Sequence, residues 1–428
     1  MALPSSLTPI GDVDALIAQL QAIVADPKRF AAAAAIDDTT RQQLKQLTRA
    51  ASVALEEPFE TVQRLAYSAE VLILTPVLSQ PLPLITTRIA QRHNIFATLV
   101  AGSQQGQGQG PVSFGALKEA TGLQDAVLES LLDYLGSQGM LSQPVRGQYA
   151  AIGLTQLMTA PLLQDAIIHF HDNCLPAFAA LNTVLSSPPS QKLNAFEVGQ
   201  HSTVDFYTWL ETHPTQQGAF HRFMEAQFAS LPTWLDAVDF ASELGGGAGL
   251  GYANHVVFVD VGGGNGQQIA ALKEKFPELK GRAILQDRPE VLEKALEVDG
   301  MEKMNYDYLT EQPVKDACVY YFRQIMHNND DATCIRILQS QLPAMGPSSV
   351  IVIDDKCLSD DKPPQDAPGV EYTAALSIAM KVMFNAQERR EAHWRALLSE
   401  AGLAIKHVRR FTKFEDSVII AAKQCFST

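Results

Sequence analysis

Apolar positions along the chain fall into two regimes. Up to about residue 240 they recur at helical spacing; from about 254 they come as short unbroken runs that alternate with helical stretches. Leu16, Leu20 and Ile23, preceded by Asp12 and Asp14, predict a helix over 12–25. An alanine-rich segment follows, then helices near 38–53 and 59–75. A helix over 84–100 leads into a glycine/glutamine loop, Ser103 to Gly110. Next come a helix from Ser113, a turn at Thr121-Gly122 and a helix from Gln124 that buries Val127, Leu128, Leu131, Leu132 and Leu135. A short strand pair after Gly139, turning at Arg146-Gly147, completes a winged-helix pattern. Residues 160–240 are helical again, and the glycine-rich connector Leu244 to Gly251 marks a domain boundary. The expected parts are a helical arm (1–80), a winged-helix region (81–160), a helical pocket or linker region (161–245) and an α/β domain (246–428).

In the last part the predicted strands are 256–260, 282–286, 317–322 and 349–354. The predicted helices are 265–276, 289–297, 330–343, 369–383 and 388–401, and a strand pair at 404–411 and 417–422 closes the chain. Repeated βαβ units imply a mostly parallel, Rossmann-like sheet covered on both faces, with ligands at the carboxyl ends of its strands. The first strand ends in Asp260 and runs into Val-Gly-Gly-Gly-Asn-Gly, where Gly262, Gly264 and Gly266 allow backbone to approach a ligand. Asp287 ends the next apolar run at the spacing of a ribose-binding carboxylate.

A net charge of −14 over 428 residues argues against non-specific nucleic-acid or anionic-membrane binding. The helix that would read DNA has no Lys or Arg from Thr121 to Met140 and carries Asp125, Glu129 and Asp133, so the winged-helix region is assigned to dimerisation. The five cysteines are scattered without a CxxC pair, there is no metal-ligand cluster, and the N-terminal residues lack signal-peptide character. No apolar run is long enough for a membrane span. A cytoplasmic protein without nucleic-acid or membrane partners is expected.

His327 lies just past the strand ending at Phe322, at the rim where a ligand belongs, and a neutral imidazole there can take a proton from a hydroxyl. Carboxylates at Asp354-Asp355, where the next strand ends, and at Glu388, where a later helix starts, could orient it and stabilise its charged form. The aromatic-rich stretch holding Phe206, Trp209 and Met224 is expected to line a ligand pocket, with His169, His171 and Arg323 nearby.

Residues 84–422 resemble the plant and fungal small-molecule O-methyltransferases that use S-adenosylmethionine. The resemblance rests on Val-Asp-Val-Gly-Gly-Gly-Asn-Gly, Gln-Asp-Arg-Pro, Tyr-Phe-Arg-Gln-Ile-Met-His and Met-Phe-Asn-Ala-Gln-Glu-Arg-Arg-Glu. It implies a class I methyltransferase domain and a homodimer in which the winged-helix region closes the partner's site. It further implies that Gly262 and Gly264 face the methionine part of the cofactor near Asp260, that Asp287 binds the ribose hydroxyls, and that Asp307 and Tyr308 hold adenine. Arg323 stands where the family has a cofactor-contacting lysine, His327 matches the base, Asp355 and Glu388 its flanking acids, and Met380 and Met383 the acceptor pocket. The family most often reads His-Asp-Trp where this chain has His327-Asn328-Asn329, and one flanking glutamate is shortened to Asp355. The expected substrate is a polyketide- or alkaloid-type secondary metabolite carrying a phenol or enol hydroxyl. Some fungal relatives of this type catalyse pericyclic ring formation or dehydration instead, and the altered 328–329 pair keeps that alternative open.

Overall fold

The computed structural model describes residues 13–25, 81–104, 110–191, 193–226, 232–244, 255–362 and 370–424, with scattered positions between 37 and 61. Most of the expected helices near 38–53 and 59–75, of the glycine/glutamine loop and of the 244–251 connector lies outside the described residues. The chain divides into two compact units, Met1–Thr61 and Val62–Thr428. The first contains the helix Val13–Ala25, on which Val13, Leu16, Ile17 and Leu20 form an exposed apolar stripe. Among the described residues no helix is long and apolar enough to cross a membrane.

The described part of the second unit opens with helices. The expected helix 84–100 is two, Leu82–Arg92 and Ile95–Gln104, broken where Asn94 adopts a positive φ of 57°. Ser113 caps the helix Phe114–Thr121 by accepting the Ala116 N–H, and Gly122 ends it with φ +68°. The helix Asp125–Ser137 buries Leu128, Leu131, Leu132 and Leu135, but Val127, expected inside, is exposed. Strands β1 (Val112–Ser113), β2 (Ser142–Val145) and β3 (Gln148–Ala150) pair antiparallel in the order β1-β3-β2 beside this helix pair. Helices Pro161–Ile168 and Leu175–Ser186 are joined without a break by a π-helical turn, His169–Cys174. This region has one apolar core, from Leu84 to Phe223, to which Val382 and Met383 contribute from far along the chain.

The large sheet comprises β4 (Val256–Val261), β5 (Arg282–Asp287), β6 (Met301–Asn305), β7 (Val319–Arg323), β8 (Val350–Leu358), β9 (Arg389–Arg390), β10 (Leu403–Arg410) and β11 (Asp416–Lys423). Its order is β10-β11-β8-β7-β4-β5-β6, with β9 beside the end of β8. β4 to β8 pair parallel, and β11 runs antiparallel between β8 and β10. Strands of near-continuous apolar residues suit a sheet covered on both faces. Alternate side chains feed two cores: Val259, Phe322 and Ile353 meet Trp394 and Leu398 on one face, while Phe258, Tyr321 and Val352 meet Trp234 and Leu272 on the other. Three expectations change in detail. β6 was not foreseen, the expected helix 289–297 is regular only over Pro289–Leu292, and the expected helix 388–401 starts at Glu391 because 389–390 pair with β8.

Candidate active site

Strand order reverses between β4 and β7, and the crevice at such a switch point is where open α/β sheets bind ligands. Asp260 sits at the foot of this crevice. It is fully buried and neither carboxylate oxygen has a hydrogen-bond partner. Burial raises its pKa to about 7, opposed by Arg323 and reinforced by Asp287 and Asp354. The glycine loop passes directly over it. A Cβ on Gly263 would lie 2.3 Å from the Asp260 Cγ and 2.6 Å from Leu285, so no larger residue fits there. Gly262 turns with φ +68° and donates its N–H to the Gln286 carbonyl at 2.7 Å.

Asp287, at the end of β5, accepts the Gly264 N–H at 2.9 Å and the Arg288 N–H at 2.8 Å. Burial raises its pKa despite those two bonds. A Cβ on Gly264 would meet nothing within 4 Å, so the loop faces open space. Asp307 and Tyr308 follow β6, which pairs with β5 up to Asp287↔Asn305. Burial raises the Tyr308 pKa, and Asp287 and Asp307 act on its hydroxyl in the same direction.

β7 ends at Arg323, and one tight turn, Met326–Asn328, carries His327. The ring Nδ1 bonds to Glu388 Oε1 at 2.9 Å, while Asp355 Oδ1 lies at 3.9 Å, beyond hydrogen-bond range. Asp355 instead accepts the Met326 N–H through Oδ2 at 3.2 Å, and its buried Oδ1 has no partner. Burial works to lower the His327 pKa, but the charges of Glu388 and Asp355 prevail and it is raised. Burial in turn pushes Asp355 up to about 7, against the pull of His327. Asn328 does not address the imidazole: its amide donates to the Tyr207 hydroxyl at 3.2 Å and to the Gln324 carbonyl at 3.0 Å.

His327 opens onto a pocket of about 60 Å³ that also contains Arg323, Asp355, Trp234, Gln268 and Phe411. The floor is a charged network. The Tyr321 hydroxyl donates to Asp354 Oδ2 at 2.5 Å, and Arg323 Nε lies 3.4 Å from the same oxygen. Asp260, Asp287, Arg323, His327, Asp355 and Glu388 are thus gathered at the carboxyl end of one sheet.

Of the residues expected to line an acceptor pocket, Phe206, Trp209, Met224 and Met383 lie in or against the helical core. Phe206 is 1 % exposed and packs edge-on to Phe196, Phe220 and Phe384. His169 lies among Phe170, Phe206, Phe220 and Phe223, and burial lowers its pKa to about 3. It contacts Asn173 at 3.0 Å and Cys174 at 3.5 Å within the π-helical turn. His171 pairs with Asp172 at 2.7 Å. Trp209 is half-buried and stacks on His213 at 3.6 Å, and Met224 is half-buried against the same core. Met380 and Met383 are buried on the helix Val370–Phe384, which packs against both the helical core and the His327 turn. Tyr207 and Trp234 belong to the aromatic-rich stretch read as pocket-lining, whereas sequence reasoning did not single out Gln268 or Arg389 for the site. Only Arg389 carried a usable signal, as the immediate neighbour of Glu388.

Residues 250–404 match the O-methyltransferase domain family. A 16-O-methyltransferase of Alternaria brassicicola is 30% identical over 414 residues, covering 96% of each chain. This chain belongs to the O-methyltransferase family. Demethylsterigmatocystin 6-O-methyltransferase of Aspergillus parasiticus is 26% identical over 391 residues, covering 90% of this chain and 94% of its own. Among solved structures, LepI in complex with S-adenosylmethionine superposes with a TM-score of 0.69 at 26% identity, covering 96% of this chain and 99% of its own. A chain described as a pericyclic reaction enzyme matches with the same score and identity over 96% of this chain and all of its own. As a member of this family the chain is a transferase with the class I methyltransferase fold, and its cofactor is S-adenosylmethionine. The crevice suits that group: a cationic, hydroxyl-bearing ligand meets a glycine loop facing open space and two buried carboxyls, one of them without a partner.

Proposed function

We propose that the protein O-methylates a phenol or enol hydroxyl of a small aromatic or enolic secondary metabolite, of polyketide or alkaloid type. The hydrogen bond between His327 Nδ1 and Glu388 at 2.9 Å, at the edge of a pocket, carries this reading. Bound S-adenosylmethionine supplies an electrophilic methyl group. Gly262, Gly264, Asp260, Asp287, Asp307, Tyr308 and Arg323 would hold it. Glu388 keeps the proton on Nδ1 and thereby directs the Nε2 lone pair towards the acceptor hydroxyl. His327 takes the hydroxyl proton, and the resulting imidazolium is stabilised by Glu388 in hydrogen-bond contact and by Asp355 at longer range. The helical region carrying Trp209, Met224 and His169, with Met380 and Met383, contributes the acceptor side and excludes water. Phe206 supports that wall from behind.

The four-part division of the chain, with the arm 1–80 and a winged-helix region 81–160 forming a homodimer in the cytoplasm, belongs to the same reading. Support comes from the helix pair with its three-stranded sheet and from the apolar stripe on Val13–Ala25.

A second reading, cyclisation or dehydration without methyl transfer, draws support from the match to the pericyclic reaction enzyme. One assay separates the two. Incubation with S-adenosylmethionine and a panel of polyketide phenols is followed by mass spectrometry of product and cofactor together. Gain of one methyl, matched by S-adenosylhomocysteine and lost in His327→Ala, supports methyl transfer. Product of unchanged mass, or mass less one water, with intact cofactor supports the second reading. Full methylation by His327→Ala removes His327 from the base role.

A further inference from the structure

We propose that Arg389 is a positioning residue for His327: it clamps the backbone of the turn that carries the imidazole, while its neighbour Glu388 holds the ring. The inference rests on the reading of His327 as base. The Arg389 side chain is wholly buried, yet all three of its donor nitrogens are engaged by one segment. Nη1 donates to the Met326 carbonyl at 2.8 Å, Nη2 to the Asn329 carbonyl at 2.7 Å and Nε to Asp331 Oδ1 at 2.9 Å. The two carbonyls bracket His327 and Asn328. The planar guanidinium fork spans both at fixed geometry, which a lysine ammonium cannot do. The Cys334 thiol reinforces the grip on Met326 at 3.3 Å, and the Trp394 ring lies 5.4 Å from the guanidinium carbon.

Within the turn, the Asn328 and Asn329 side-chain amides donate to the Gln324 and Ile325 carbonyls at 3.0 and 2.8 Å, so these local bonds fall on the residues before Met326. The backbone bonds of the turn are long: they run from Asn328 N–H to Ile325 and from Asn329 N–H to Met326, each at 3.2 Å. Arg389 is itself fixed, because β9 pairs parallel to β8 with Arg389 opposite Cys357, two residues past Asp355. Glu388, Arg389 and Asp355 therefore approach the turn from one seam of the sheet. A buried cation is costly unless its bonds are complete, and here the bonds from Nε, Nη1 and Nη2 all go to the 326–331 segment. Asp331 is the outer anchor: its second oxygen accepts from His393 at 2.8 Å, and its side chain is 44% exposed.

The test is an NMR titration of selectively labelled histidines in the full-length protein, with the His327 resonance assigned by its loss in His327→Gln. The charged groups that face His327 are Glu388, Asp355 and Lys356, with Arg323, Asp354 and Asp416 in the same pocket, and none is altered in the variants. In Arg389→Lys and in Asp331→Asn, the loosened turn draws the ring away from Glu388 and the His327 titration moves to lower pH. The acid limb of kcat/KM follows it. kcat falls by about tenfold or more in Arg389→Lys and less in Asp331→Asn, while the KM for S-adenosylmethionine stays within about twofold. A role in stability alone would lower Tm and leave the titration in place. Titration curves that superimpose on wild type in the folded variants overturn the proposal. If Arg389→Lys does not fold, the partly exposed Asp331→Asn decides alone in either direction. The titration needs no turnover, so it reads the clamp even if His327→Ala retains methylation, a result that would instead remove the base role.

Discussion

Glu388→Gln isolates the charge that orients the base. The glutamine oxygen can still accept the Nδ1 proton, so the 2.9 Å contact keeps its shape and loses its ionic character. Both side chains are almost fully buried, so solvent does little to screen the pair. A charge-assisted hydrogen bond contributes about 1.5–3 kcal/mol, and about 1.4 kcal/mol corresponds to tenfold in rate. Because the glutamine keeps a neutral hydrogen bond worth about 0.5–1.5 kcal/mol, the expected loss in kcat is about tenfold, below the roughly 10²- to 10⁴-fold that general-base help is worth. Burial opposes the imidazolium and Glu388 and Asp355 favour it, with a raised pKa as the net result. A base works only when neutral, so activity rises as pH climbs through that pKa. Removing the Glu388 charge lowers the pKa and shifts the acid limb to lower pH. The stability sign is consistent. Protonated His327 stabilises the fold below the ordinary imidazole pKa, and this contribution is lost as pH rises through the raised folded value. The Tm deficit of Glu388→Gln is thus greatest on the acid side and shrinks at higher pH. Initial rates and thermal melts across pH 5–9 check both limbs. Unchanged kcat together with an unmoved acid limb would refute the argument.

Asp260 has a folded pKa of about 7 against an ordinary 3.8, so its contribution to stability is complete below 3.8 and is lost as pH rises through 7. The gap corresponds to a penalty on the order of 4 kcal/mol at alkaline pH. In the cofactor-free protein, Asp260→Asn should flatten the fall in Tm between pH 5 and pH 8; parallel melting curves for the two proteins would contradict this. Phe206→Ala opens a hole in an aromatic core and should cost about 3–5 kcal/mol. An unfolding free energy from denaturant titration within about 0.5 kcal/mol of wild type would instead mark Phe206 as a ligand-facing residue.

The parallel core of the sheet was legible in the chain because β4, β7 and β8 are continuous apolar runs between turn signals. β6, Met-Glu-Lys-Met-Asn, was not, since an edge strand paired on one side keeps polar residues in the open. The break at His93-Asn94 was invisible because apolar spacing continues through it and only a positive φ marks it. Asp260, Asp287 and His327 were legible as strand-end positions, and Glu388 from its place ahead of a helical stretch. Periodicity cannot say whether an aromatic face meets a ligand or another helix, and so Phe206 was placed at a pocket although it lies in the core. Asn328 illustrates a further limit: its amide answers to Tyr207, 121 positions away, a contact that no local pattern encodes.

The helix Val370–Phe384 belongs by chain position to the sheet, yet it lends Val382 and Met383 to the helical core and touches the His327 turn on its way to Glu388. Chimaeras built to transplant acceptor preference between relatives must respect this. A junction at the 244–251 connector, which the glycine-rich sequence alone would suggest, would leave the incoming helical residues packed against a foreign helix. Grafts that carry 370–384 along with residues 81–245 keep the native seam intact.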